Sequence, residues 1–212
     1  RWLPQRFYFF FAYKKLYKTH KDIVFSVPSG NFGNVCAGMM AQQLGLPIKH
    51  FIASNNDNNV VTKYLRTALY KPELSKQTIS NAMDVGDPSN FIRIQELYKN
   101  NFKILKENLS SFSFSNEETK AAMLEIYSRY NYVADPHGAV GYLGCKSYLE
   151  NNPTAYCVFF ETAHPTKFLD IVEAVVNKKQ ILPPQIKSVM KKVKDATKIA
   201  TYEDFKRYLM TV

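Results

Sequence analysis

The sequence lacks several features that would assign a function class directly. Its three cysteines, Cys36, Cys145 and Cys157, lie far apart, with no CxxC pair and no nearby pair of histidines. That spacing argues against a disulfide framework and against a structural zinc site, and it is typical of proteins from a reducing cytosol. We therefore predict a cytoplasmic protein without a bound metal.

Long apolar runs are also missing. The longest run, FYFFFAY at residues 7–13, is too short to span a bilayer and is flanked by Arg6, Lys14 and Lys15. We expect this run to form a buried helix, and we expect no membrane partner. The chain begins with Arg1 and shows no signal peptide, which predicts either a processed start or a piece of a longer protein.

The chain carries a large excess of positive charge. Lys and Arg number 28 and Asp and Glu number 18, which gives a formal net charge of +10. Such an excess can indicate nucleic-acid binding, but it also suits an anionic small molecule. The lysines concentrate in residues 178–198, where apolar residues recur at helical spacing, so we predict a solvated amphipathic helix there. No nucleic-acid-binding module is recognisable, and we predict no nucleic-acid partner.

Segments typical of strands and helices alternate along the chain. We predict strands at 23–28, 48–53 and 155–160, helices at 4–19, 35–45, 57–70 and 165–177, a polar loop at 69–90 and a helical stretch at 91–150. Strands and helices joined by short links predict an α/β fold, a parallel sheet flanked by helices. Ser115 and Glu118 have the spacing of a capping box at a helix start.

The stretch SGNFGN, residues 29–34, stands where the first strand gives way to a helix. A glycine-containing turn at a helix N-terminus can bind an anion, because the first N–H groups of the helix are unpaired and carry partial positive charge. Neither GxGxxG nor GK[ST] is present, which disfavours a dinucleotide and a nucleoside triphosphate. The stretch therefore predicts either a phosphate site or a tight turn with an asparagine cap.

Four segments together resemble threonine synthases. They are SGNFGN with LGLPIKHFIASNNDN, then TISNAMDVGDPSNF (78–91), PHGAV (136–140) and ETAHPTKF (161–168), and they occur in the family's order. The resemblance covers about residues 1–178 and implies a fold type II enzyme that uses pyridoxal 5'-phosphate, with the tryptophan-synthase-β-like architecture. It implies that residues 1–180 are the C-terminal portion of the cofactor-binding α/β domain and 181–212 a helical C-terminal extension.

The resemblance also implies an activity and a cofactor site. Threonine synthases convert O-phospho-L-homoserine and water to L-threonine and phosphate. The family's phosphate-binding turn falls on Gly30, Asn31, Phe32, Gly33 and Asn34. Its neutral hydroxyl, which faces the pyridine nitrogen, falls on Thr162, directly after an apolar strand.

Other motif residues have less certain roles. Asn81, Asp84, Ser89 and Asn90 either touch the substrate or brace the site, and His164 either binds the substrate phosphate or caps the helix that follows. We expect His137 to make a structural hydrogen bond. Asn55, Asn56 and Asn58 are expected either to line the site or to cap the next helix.

Two departures from the family pattern are visible. Gly138 stands where the family commonly has threonine, in PHTAV. The family's lysine, which forms a Schiff base with the cofactor, lies in an FKD-type motif upstream of the phosphate turn, and no such motif occurs in these 212 residues. We therefore expect a C-terminal half of a threonine synthase that is inactive by itself and that pairs with the missing N-terminal half. The oligomeric state stays open.

Two alternatives remain from the sequence. One is another fold type II lyase or dehydratase, which the SNAMD and PSNF segments disfavour. The other is a non-catalytic threonine-synthase-like protein that binds phosphate compounds.

Overall fold

The computed structural model describes residues 2–211, and within them it contains a sheet of four parallel strands. The strands are β1 (Ile23–Pro28), β2 (His50–Asn55), β3 (Leu109–Ser113) and β4 (Tyr156–Phe159), in the order β3-β2-β1-β4. Phe25 of β1 pairs with Phe51 of β2 on one side and with Val158 of β4 on the other. The predicted α/β class with a parallel sheet is confirmed.

Helices make up the other regular elements, and several helices before Lys179 pack against the sheet. Within residues 2–211 they are α1 (Trp2–Leu16), α2 (Gly33–Gln43), α3 (Val60–Thr67), α4 (Phe91–Leu97), α5 (Phe102–Asn108), α6 (Asn116–Tyr130), α7 (Pro136–Leu149), α8 (Leu169–Val176), α9 (Pro184–Val189) and α10 (Tyr202–Thr211). Two short 3₁₀ helices cover Asn81–Met83 and Pro165–Phe168. Each predicted strand is present within two residues of its expected position, and each helix predicted outside 91–150 and 178–198 overlaps an α-helix of the structure.

The helical stretch predicted for 91–150 is wrong at β3. The sequence LSSFS has neither helical spacing nor a clear alternation of apolar and polar residues. Its serines take part in polar contacts between elements instead. Ser111 Oγ donates to Asn55 Oδ1 at 2.9 Å and bonds with Thr62 Oγ1 at 2.7 Å. Side-chain hydrogen bonds therefore help to fix an edge strand that hydrophobic patterning does not reveal.

The prediction that FYFFFAY forms a buried helix is wrong for most of the run. Phe9 is 1% exposed and packs edge-on against Phe25, Phe51 and Phe160. Tyr8, by contrast, is 62% exposed. α1 is therefore attached to the sheet by one strongly buried aromatic residue, while much of its apolar surface remains uncovered.

Hydroxyl groups in the core fix the position of α7. Ser26 Oγ of β1 donates to Gly141 O at 2.6 Å and bonds with Ser54 Oγ of β2 at 2.8 Å. Gly141 also packs closely against Pro28 and Phe159, the last residues of β1 and β4. The second turn of α7 is thereby held at the carboxyl ends of these strands.

The chain divides into two compact units, the first ending at Lys179 and the second beginning at Gln180. The second unit contains α9 and α10. The helix predicted across 178–198 is limited to Pro184–Val189, and none of its side chains is buried. With so little apolar burial, a longer helix gains too little stabilisation to persist there.

Candidate functional site

The turn between β1 and α2 is fixed by side-chain hydrogen bonds to its backbone. Ser29 Oγ donates to Val27 O at 2.6 Å, and Asn34 Nδ2 donates to Pro28 O at 2.8 Å. From the neighbouring strand, Asn55 Nδ2 donates to Ser29 O at 2.7 Å. The geometry of this turn is therefore set by the protein itself, before any ligand binds.

The N-terminus of α2 has no side-chain cap. Its N-cap residue is Phe32, in a left-handed conformation with φ 60°, and no side chain accepts a hydrogen bond at that cap. The Phe32 ring is buried and packs edge-on against Phe91. Asn34 Oδ1 accepts from Val35 N, and Cys36 N donates to Phe32 O. The N–H groups of Gly33 and Asn34, the first two of α2, are left for another partner, in a position that favours an anion.

The start of α2 opens into a cavity of about 950 Å³. The cavity is bounded by the SGNFGN turn, by the first turns of α1, by the 3₁₀ segment of the polar loop, by the start of α7 and by the end of β4. Its lining residues are Trp2, Gln5, Tyr8, Phe9, Phe11, Val27, Pro28, Gly30, Asn31, Phe32, Gly33, Asn34, Ala82, Met83, Asn90, His137, Phe160, Glu161 and Thr162. A ligand of cofactor size fits such a volume.

The carboxyl end of β4 supplies polar groups to the cavity. Thr162 and Glu161 line it together with His137 from the first turn of α7. Neither oxygen of the Glu161 carboxyl has a hydrogen-bond partner, and neither ring nitrogen of His137 has one. Burial, assisted by the nearby Asp135 carboxylate, raises the pKa of Glu161 to about 8. This wall is therefore polar but incompletely hydrogen-bonded within the chain.

The polar loop at 69–90 is fastened to the segment that follows β2 by a hydrogen-bond network. Asp84 accepts from Thr78 N and Thr78 Oγ1 at 2.9 and 2.6 Å, and from Asn56 Nδ2 and Asn58 Nδ2 at 2.8 and 3.2 Å. Asn58 Nδ2 also donates to Lys76 O. The network holds the loop in place, so that Ala82 and Met83 form part of the cavity wall.

The predicted cofactor residues come together in the structure. Gly30, Asn31, Phe32, Gly33, Asn34 and Thr162 all line the same cavity. Asn90, predicted as a possible substrate residue, lines it as well. Asn81, Asp84, Ser89 and His164 are not among the lining residues, although Ser89 Oγ donates to Asn31 Oδ1 at 3.1 Å. The functional roles of all these residues remain predictions.

Of the roles predicted for the histidines and for the asparagines after β2, the structure bears out some and contradicts others. His164 caps the following 3₁₀ helix, since its Nδ1 accepts from Thr166 N at 3.2 Å. The structural hydrogen bond expected of His137 is not made. Asn55, Asn56 and Asn58 neither line the cavity nor cap α3, whose N-cap is Asn59; they are buried and brace the turn and the polar loop.

Glu161 was not singled out from the sequence. The only available signal was its position, directly before Thr162 at the end of an apolar strand. Its burial and its unpaired oxygens depend on α7, a helix that begins 25 residues upstream of it. Local sequence patterning does not report such a contact.

Residues 2–211 contain neither a candidate membrane span nor a candidate metal site. No helix there has both the length and the apolar character that a bilayer span requires. The same residues contain no cluster of three or more His, Cys, Asp or Glu side chains placed to hold a metal ion.

Threonine synthases match the chain in both sequence and structure. The sequence profile described as "Threonine synthase, C-terminal" matches residues 138–209. The threonine synthase of Buchnera aphidicola subsp. Baizongia pistaciae is 42% identical over 192 residues, which cover 90% of this chain and 44% of that protein. The Escherichia coli threonine synthase is 40% identical over 187 residues, covering 88% and 43%.

Solved structures give the same result. The E. coli threonine synthase crystal structure matches with a TM-score of 0.88 and 36% identity, over 99% of this chain and 49% of that one. A PLP-bound threonine synthase from Brucella melitensis matches with a TM-score of 0.88 and 27% identity, over 99% and 50%. A threonine deaminase from Solanum lycopersicum, with a TM-score of 0.60 and 15% identity, shares the fold alone.

The chain spans about half the length of the curated relatives that it matches. Its sheet and flanking helices have the fold type II architecture of these enzymes. The chain belongs to the threonine synthase family and corresponds to its C-terminal half.

Proposed function

We infer that this chain forms the cofactor-phosphate and ring-facing parts of a threonine synthase active site. The reaction is conversion of O-phospho-L-homoserine and water to L-threonine and phosphate, with pyridoxal 5'-phosphate as cofactor. The observation that carries the proposal is the uncapped N-terminus of α2, which opens into the same cavity as Thr162. The similarity to a PLP-bound threonine synthase from Brucella melitensis supports the choice of cofactor.

The turn has room for a phosphate group. A Cβ added at Gly33 would meet the Asn90 amide at 3.4 Å and the Trp2 ring at 3.8 Å, which are ordinary contact distances, so no atom of the chain crowds this residue. The lining residues include no lysine or arginine. The phosphate would therefore be held by backbone N–H groups and by the partial positive charge at the start of α2, an arrangement common for anions at helix N-termini.

Each part of the cavity would have its own role. When bound, the cofactor withdraws electron density from the α-carbon of the amino-acid substrate. Backbone groups of residues 30–34 would fix its phosphate, and the Thr162 hydroxyl would face its ring nitrogen. A neutral hydroxyl at that point, unlike a carboxylate, does not favour a protonated ring. Asn90, which lines the cavity, would contact either the cofactor or the substrate.

The 212-residue chain alone is proposed to lack turnover. Of the described residues that line the cavity, none is a lysine, so no amine is available there to form a Schiff base with the cofactor. The missing amine would come from the N-terminal half of a threonine synthase. We also propose a cytoplasmic location, which the three free cysteines of the structure support.

Phosphate release from O-phospho-L-homoserine tests the proposal directly. The natural protein at its full length should release phosphate and form threonine in equal amounts when supplied with pyridoxal phosphate, and the 212-residue chain should form neither. Release of ammonia from serine or threonine without phosphate release would instead indicate a dehydratase. Cofactor binding without turnover of any of these substrates would indicate a non-catalytic binding protein.

Thr162 offers a sharper test in the same protein. Thr162→Ser keeps the hydroxyl and should retain most of the activity, whereas Thr162→Asp places a carboxylate at the ring. The aspartate variant should bind the cofactor with an altered absorption spectrum. Equal spectra and equal activity in both variants would contradict the placement of Thr162 at the ring nitrogen.

A further inference from the structure

Three side chains with buried polar atoms that lack a hydrogen-bond partner lie together where the end of β4 meets the start of α7. They are Asp135 and His137, whose Oδ2 and Nδ1 atoms lie 3.4 Å apart without a hydrogen bond, and Glu161, whose two carboxyl oxygens have no hydrogen-bond partner. Asp135 is fully buried and His137 is 3% exposed. Buried polar groups are normally hydrogen-bonded, so a concentration of exceptions on a cavity wall points to a function.

The carboxyl of Glu161 packs directly onto Gly138. A Cβ at position 138 would lie 2.1 Å from Glu161 Oε1 and 2.3 Å from its Cδ. No larger residue at 138 is compatible with the present position of the carboxyl. The glycine of PHGAV, where the family commonly has threonine, therefore creates the space that Glu161 occupies.

Among residues 2–211, no lysine or arginine offsets the burial of the Glu161 carboxyl. The Asp135 carboxylate at the N-cap of α7 raises the pKa of Glu161, and His137 of α7 lines the same cavity. In the segment before α7, the Glu161 carboxyl contributes to a raised pKa of Tyr132. Asp135 is already engaged as the cap of α7, since its Oδ1 accepts from Gly138 N at 2.8 Å. Desolvation and a neighbouring carboxylate both favour the neutral form of an acid.

We propose that Glu161 is a positioning residue that carries a proton at neutral pH, so that the wall beside Thr162 presents a neutral carboxylic acid rather than a negative charge. This inference rests on the proposed function. A carboxylate next to the ring would favour a protonated pyridine nitrogen and so oppose the effect of the neutral Thr162 hydroxyl. A protonated Glu161 avoids that conflict and adds a hydrogen-bond donor to the cavity.

The direction of the pH dependence follows from the raised pKa. Because burial lifts the pKa of Glu161 to about 8, the proton is held below that pH and lost as the pH rises through it. Its contribution to folding stability is present in full below the ordinary glutamate pKa and is lost as the pH rises through about 8.

Infrared difference spectroscopy of the full-length protein without cofactor tests the protonation state. Between about pH 6 and about pH 10 the spectrum should lose the carbonyl band of one protonated carboxylic acid, with a midpoint near 8. Glu161→Gln should remove that component. Glu125→Gln is the matched control, because hydrogen bonds from Lys146 lower the pKa of Glu125 to about 2 and keep it ionised throughout.

Two further variants separate the two causes of the raised Glu161 pKa, the Asp135 charge and the burial of the carboxyl. Asp135→Asn keeps the oxygen that caps α7 but removes the charge, so the midpoint of the band should move to lower pH. Gly138→Ala should displace the carboxyl from its pocket and move the midpoint further towards an ordinary value. A band that persists in Glu161→Gln, or a wild-type midpoint near the ordinary glutamate value, would overturn the proposal.

The cofactor-bound protein supplies the second readout. The absorption of bound pyridoxal phosphate should contain a pH-dependent component that is absent from Glu161→Gln, while components from other titrating groups persist in both. The protein could show the expected infrared band and yet fail to bind pyridoxal phosphate. That result would refute the proposed function, whereas the conclusion that Glu161 is protonated would stand. A bound cofactor whose spectrum responds identically in both proteins would refute the positioning role alone.

Discussion

Two helices of this chain begin in opposite ways. α6 begins with a complete capping box, in which Ser115 Oγ accepts from Glu118 N at 3.2 Å and Glu118 Oε2 accepts from Ser115 N at 2.8 Å. α2 begins after Phe32 without any side-chain cap. Both helices have first-turn N–H groups without an intrahelical carbonyl partner, yet only α6 uses the side chain of its N-cap residue to satisfy one. In α2 the Asn34 side chain accepts from Val35 N, and the N–H groups of Gly33 and Asn34 have no partner among the described residues.

The difference separates a structural helix start from one built for a ligand. α6 has two acidic residues, Glu117 and Glu118, in its first turn, which complement its dipole. The first turn of α2 contains no acidic residue and faces the cavity. An anion bound there would supply the charge and the acceptors that α6 obtains from its own sequence.

A negative charge introduced at the start of α2 should have the largest effect of the changes considered, because it opposes binding of an anion there. Gly33→Asp would place a carboxylate beside the phosphate site, and two unit charges at 4 Å repel by about 4 kcal/mol at an effective dielectric constant of 20. We expect the affinity of the full-length protein for pyridoxal phosphate to fall by about 100-fold or more. Equilibrium titration followed by cofactor absorbance measures it.

Gly33→Asn is the matched control for that charge. It adds nearly the same volume and no charge, so its loss of affinity should be smaller by at least about tenfold. If the two variants lose affinity equally, bulk rather than charge is responsible. If neither loses affinity, the phosphate does not bind at the start of α2.

The two glycines of SGNFGN should respond differently to alanine. A Cβ at Gly30 would lie 2.7 Å from Met83 Cα and 2.9 Å from Ala82 O, both backbone atoms that cannot move freely, whereas the nearest atom at Gly33 is a side-chain amide at 3.4 Å. We expect Gly30→Ala to lower the free energy of unfolding by about 1–3 kcal/mol. Gly33→Ala should change it by less than about 0.5 kcal/mol.

Urea unfolding of both variants measures this difference. A change in Gly30→Ala as small as that in Gly33→Ala would mean that the loop at 81–83 can move away from Gly30, which contradicts its fixation by Asp84. A stable Gly30→Ala variant with weakened cofactor binding would assign Gly30 to the ligand rather than to packing.

The sequence predicts the framework of the site better than its chemistry. The apolar run of β1 and the glycine turn after it indicate a strand that leads into a helix at a carboxyl sheet edge, which is where the cavity lies. Physical reasoning alone left the turn as either an anion site or a plain turn. The resemblance to threonine synthases placed Thr162 with it, and the structure puts both in one cavity.

What the sequence did not reveal depends on contacts between distant segments. Glu161 is notable because nothing pairs with its carboxyl, and that property exists only after α7 has packed over β4. Asn56 and Asn58 looked like site or cap residues because they follow a strand, but they bind Asp84 of the polar loop. Residue type and spacing do not determine which hydrogen-bond partner a buried side-chain amide has.

Removal of the Ser115 hydroxyl from the capping box of α6 should have the smallest effect of the changes considered. Ser115→Ala removes the acceptor for Glu118 N, and loss of an N-cap hydroxyl typically costs about 1 kcal/mol. Ser115→Thr keeps a hydroxyl and should cost less. Urea unfolding should register the loss, whereas the affinity for pyridoxal phosphate should stay unchanged, because Ser115 is not among the residues that line the cavity. A loss of affinity in Ser115→Ala at unchanged stability would show that the two helix starts are not independent, and that α6 also serves the ligand.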